Sequence, residues 1–121
     1  MMAWVASIAG EILAHFDLHE TTDTDNSEFR PALCARDGTT QDDWGIPDGF
    51  YLVDDAQKPK PNFQKAMIDA VERVTHIAPA DDSGRIIGSP VVQPGVIEYD
   101  LKSLGLCAGM TDATYCTTTE V

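Results

Sequence analysis

Basic residues are scarce in this chain. Its 121 residues carry 8 lysines and arginines against 20 aspartates and glutamates, a formal charge of −12. No cluster of cations interrupts that balance, which argues against binding nucleic-acid phosphates or docking on an anionic membrane. Cysteine is sparse too: Cys34, Cys107 and Cys116 are the only three, and no pair has CxxC spacing. A disulfide framework and a structural zinc knuckle are thereby disfavoured, and buried, reduced thiols in a cytoplasmic protein are expected. No apolar run approaches the roughly 18–20 residues of a membrane-spanning helix. The opening MMAWVASIAGEILAHF lacks the basic start of a signal peptide and contains Glu11.

What is present suits one α/β unit. A chain of this size buries roughly two-thirds of its unfolded surface, and a hydrophobic fraction of 43% is that of a globular protein. Met2 to Ala9 reads as a helix, with Trp4, Val5, Ile8 and Ala9 on one face and Gly10 as its stop. Ile12 to His19 reads as a central strand buried on both faces. Thr21 to Gly49 is rich in turn formers and reads as a long loop, and FYLV at 50–53 as a short strand. Phe63 to His76 is the clearest helix, with an apolar stripe of Phe63, Met67, Ala70, Val71 and Val74. Short strands are expected around Pro94-Gly95, and the β-branched run TYCTTTEV reads as a final strand. The chain opens in a helix with no strand before it and stops inside a strand, so both ends read as cut.

The chemistry concentrates in FDLHETTD, residues 16–23. On a strand, His15, Asp17 and His19 point to one side, and Phe16 and Leu18 to the other. Such polar residues at a strand end serve either as turn caps or as metal ligands. Burial favours the second role, because an unpaired buried ion costs several kcal/mol and a cation offsets that cost. His15 and His19 are about 13 Å apart on an extended strand at roughly 3.3 Å per residue, too far to share one ion. His19 is therefore the candidate ligand, with Asp17 positioned to hold its second nitrogen, and His15 reads as an interior residue. An EF-hand reading of the acidic stretch from Asp23 fails, since Glu28 and Cys34 stand where glycine and glutamate are needed.

DLHETTD, followed about a hundred positions later by TTTEV, resembles the zinc carboxypeptidase superfamily, closest to its succinylglutamate desuccinylase and aspartoacylase branch. The resemblance implies a mixed sheet flanked by helices. It implies a zinc ion held by an HxxE pair and a later histidine, and a glutamate that activates the attacking water. His19 matches the later histidine, and Glu120 the catalytic glutamate. No HxxE occurs in the chain: the third residue after His15 is Leu18, after His19 it is Thr22, and after His76 it is Pro79. Residues 1–121 accordingly resemble the later part of a catalytic domain, and the isolated chain is expected to hold zinc weakly and to be inactive alone.

The implied activity is hydrolysis of a peptide or acyl-amino-acid amide bond, with a water made acidic by zinc and Glu120 as its base. Arg30, in the long loop after the zinc strand, is the candidate grip for a substrate carboxylate, although pairing with Glu28 or Asp37 is the plainer role. Unpaired sheet edges imply a tendency to self-associate. A non-catalytic acidic α/β module that binds a partner through its long loop is the alternative function.

Overall fold

The computed structural model describes residues 4, 7, 10–20, 30–38, 40 and 47–121. Strands β1 (Ala14–Leu18), β2 (Tyr51–Asp55), β5 (Val96–Tyr99) and β6 (Tyr115–Glu120) form one sheet in the order β1-β6-β2-β5. β1 runs parallel to β6, β6 antiparallel to β2, and β2 parallel to β5, so the expected mixed sheet is present. A small hairpin of β3 (Arg85–Ile86) and β4 (Ser89–Pro90) stands apart from it. Helix α1 is Arg30–Asp37 and helix α2 is Pro61–Val71.

β2 is the best-buried strand: all five of its residues, YLVDD, are buried. Its side chains alternate between two apolar clusters. Leu52 joins Phe50, Ile68 and Val96 on the α2 side. Tyr51 and Val53 join Ile86, Ile97, Leu101, Ala108 and Cys116 on the other. Among the described residues, that second face is covered by turns and a single 3-10 turn, Cys107–Met110, rather than by a second α-helix.

Helix α2 starts where proline chemistry permits. Pro61 occupies the first turn, where its missing N–H costs nothing, and Lys60 precedes it as the cap. The helix ends at Val71, short of the expected His76. Its buried positions are Gln64 and Ile68, and Val74 is 84% exposed, so the real stripe is rotated from the expected one. A buried polar network explains the rotation. Gln64 Nε2 donates to Asp54 Oδ1 (2.9 Å) and to the Cys116 carbonyl (3.0 Å). Thr117 Oγ1 donates to Gln64 Oε1 (2.8 Å), and the Lys60 N–H to Asp54 Oδ2 (2.9 Å). Asp54, Gln64 and Thr117 are at most 1% exposed, so these bonds offset what burying a carboxylate and an amide would otherwise cost.

Three further expectations are corrected. β1 lies at one end of the sheet and alternates exposed with half-buried, because its apolar residues Phe16 and Leu18 sit on the open side (47% and 77% exposed). The segment read as one loop contains α1. The strand read as 50–53 runs on through the buried pair Asp54 and Asp55. The expected N-terminal helix at 2–9 and the acidic stretch at 23–28 lie outside the described residues, except that Trp4 is helical and Ser7 lies in a turn.

Candidate metal centre at the ends of two parallel strands

Parallel pairing brings the ends of β1 and β6 together. Asp17 lies opposite Thr118 and Leu18 opposite Thr119, and the His19 N–H donates to the Thr119 carbonyl at 2.8 Å. His19 is thereby fixed beside Glu120, although 101 positions of sequence separate them. In β6 the alternation of TTTE sends Thr117 toward α2 and Glu120 toward the opposite face, where Asp17 and His19 also point.

The His19 ring stands between two carboxylates. Its Nε2 is 3.1 Å from Asp17 Oδ2, and its Nδ1 is 3.5 Å from Glu120 Oε1. Thr118 Oγ1 donates to the same Asp17 oxygen at 3.4 Å. The ring is half exposed, while Asp17 and Glu120 are largely covered. A neutral imidazole has one N–H. The shorter contact assigns that proton to Nε2, facing Asp17. A ring protonated on both nitrogens donates to both carboxylates, and a neutral ring leaves the Nδ1 lone pair on the Glu120 side.

A third donor comes from the 3-10 turn. Asp17, His19 and Cys107 each offer one ligand atom, and these atoms all lie within 4.8 Å of one another. Oxygen, nitrogen and sulfur in one cluster suit a borderline-soft divalent ion such as zinc. The turn carrying Cys107 is held tightly. A Cβ on Gly109 would lie 2.6 Å from the Leu101 carbonyl oxygen, so only glycine permits this approach. The Cys116 thiol donates to the Ala108 carbonyl at 2.8 Å, and His15 Nδ1 shares a hydrogen bond with the Thr111 hydroxyl (3.1 Å). His15 is thus hydrogen-bonded as expected, but half-buried rather than interior.

The cysteines correct the sequence reading. Only Cys116 is buried; Cys34 is intermediate and Cys107 exposed. Burial, reinforced by the charge of Asp55, pushes the Cys116 thiol up to about 11. Sequence reasoning missed Cys107 as a donor, because no local spacing ties it to a strand end some ninety residues earlier. Arg30 is the first residue of α1, and its side chain lies outside the described structure. The one described partner of Asp37 is its neighbour Arg36, at 2.7 Å.

No protein-family model and no curated protein matches the chain. Among the described residues no helix is long and apolar enough to cross a membrane.

Proposed function

We propose that this chain supplies one zinc ligand and the general base of a zinc-dependent amide hydrolase of the carboxypeptidase or deacylase type. The observation that carries the reading is the His19 ring, set between Asp17 at 3.1 Å and Glu120 at 3.5 Å. That arrangement fits a ligating histidine: one nitrogen is oriented by a carboxylate, and the other is presented to an ion beside a second carboxylate. The remaining ligands, an HxxE pair in the family the chain resembles, come from outside residues 1–121.

Each residue has a defined task. Asp17, steadied by the Thr118 hydroxyl, holds the Nε2–H tautomer and the ring orientation. His19 presents Nδ1. Zinc, when bound there, supplies Lewis acidity to the scissile carbonyl and to an attacking water. Glu120 takes the proton of that water and delivers it to the departing amine, a role typically worth 10²–10⁴-fold in rate. Arg30 grips a carboxylate of the peptide or acyl-amino-acid substrate. The apolar side of β1, with Phe16 and Leu18 exposed, supports self-association as well.

The upstream reading frame is the test. An HxxE encoded some tens of residues before Met1 is expected. The longer protein should then hydrolyse amide substrates with zinc and lose at least about 10²-fold on Glu120→Gln. An upstream frame without that motif, or a longer protein indifferent to Glu120→Gln, would overturn the reading and favour a non-catalytic acidic module.

A further inference from the structure

The geometry points to a second use of this corner: a thiolate-containing metal site, formed by Asp17, His19 and Cys107, that needs no residue from outside the chain. It does not depend on the hydrolase reading, and it uses Cys107, which that reading leaves idle. In a tetrahedral zinc site with bonds of about 2.0–2.3 Å, ligand atoms stand roughly 3.3–3.7 Å apart. The three donors already lie within 4.8 Å of one another, so closing on an ion needs shifts of only about an ångström.

The supports are rigid where they must be and free where movement is needed. Asp17 belongs to β1, and His19 follows it with its backbone N–H bound to β6. Cys107 opens a turn pinned by the close approach of Gly109 to Leu101 and by the Cys116 thiol on Ala108. The His19 ring and the Cys107 side chain are both exposed, so an ion has a path of entry and both can swing inward. Binding releases the thiol proton, the ring proton sits on the nitrogen facing Glu120, and the ion takes over the attraction that His19 now offers Asp17. Three protein donors leave a fourth position open to solvent, and the thiolate selects zinc, cobalt or cadmium over magnesium or calcium.

Three donors should hold an ion more tightly than the single histidine apparent from sequence, so the isolated chain is expected to bind zinc stoichiometrically. Cobalt(II) is the probe. Titration into the reduced chain should produce tetrahedral d–d absorption and a near-ultraviolet thiolate-to-cobalt charge-transfer band, displaced by zinc. Cys107→Ser should abolish the charge-transfer band and weaken binding by at least about tenfold, the low end for disturbing a ligand's own partner. Asp17→Asn should also weaken binding, whereas Cys34→Ser should leave the band unchanged. Zinc should slow alkylation of Cys107 in the unmutated chain, a readout that needs no variant to fold. A cobalt spectrum with no thiolate band, or one that survives Cys107→Ser, would overturn the site. Binding that depends on His19 and Glu120 but not on Cys107 would reject this inference and leave the hydrolase reading standing.

Discussion

The two sides of the sheet's midline differ in kind. Around β2, α2 and β5 the buried Asp54, Asp55, Gln64 and Thr117 are hydrogen-bonded, and the apolar side chains fill two clusters. Around β1 and the end of β6 the order is different: Leu18 is exposed and Phe16 only half covered by Phe63, while Asp17 and Thr118 are largely covered beside a half-exposed His19 ring. The first region minimises free energy locally. The second leaves a histidine ring and a thiol exposed beside two largely covered carboxylates, an arrangement that packing alone does not favour. Fold and chemistry therefore sit in different parts of one small sheet.

The sharpest way to break this contrast is to truncate a leucine on each side. Leu52→Ala, at a fully buried position of β2, should cost about 2–5 kcal/mol in urea unfolding. Leu18→Ala, at a position 77% exposed on β1, should stay within about 0.5 kcal/mol. Equal costs would show that β1 is as well packed as β2 and dissolve the distinction.

Gln64→Leu comes next. It removes the donor to Asp54 and the acceptor for Thr117 within a buried network, and about 1–3 kcal/mol should be lost. An unchanged midpoint would mean that the network contributes nothing.

How legible these regions are in the sequence follows the same division. The β-branched run at 115–120 announces itself, because local pattern and burial agree there; α2 is legible as a helix, although its apolar period marks a stripe rotated from the buried one. Gln64 is invisible, since a glutamine reads as surface unless its partners on two strands are known. β1 misleads: AHFDL looks like a strand covered on both faces, and only the sheet order reveals its apolar residues on the open side. The closeness of His19 and Glu120 is what the pairing of DLHETTD with TTTEV leads one to expect. Asp17 as the orienting carboxylate follows from strand alternation, whereas Cys107 depends on a turn whose path no short-range rule dictates.

Gly109→Ala couples the two regions. The added methyl forces the 3-10 turn away from the Leu101 backbone, at about 1–3 kcal/mol. It should also weaken cobalt binding, and a stability loss without any effect on metal would separate the turn from the site.

The smallest effect concerns the thiols. Cys107 should alkylate readily and Cys116 only on unfolding. Because the folded Cys116 thiol is raised from 9.0 to about 11, the fold holds that proton more tightly than the unfolded chain does. The associated stability is intact below pH 9 and is lost as pH rises toward 11. Cys116→Ala should flatten that alkaline decline, and an unaltered decline would assign it to other groups.

The central claim is that His19 carries its proton on the Asp17 side and offers the opposite nitrogen to a cation beside Glu120. Nitrogen-15 NMR of the imidazole in Cys107→Ser, with and without zinc, tests it most directly. The account predicts an Nε2–H tautomer without metal and a zinc-dependent shift confined to Nδ1. An Nδ1–H tautomer, or a ring whose nitrogens ignore zinc at any concentration, would contradict it.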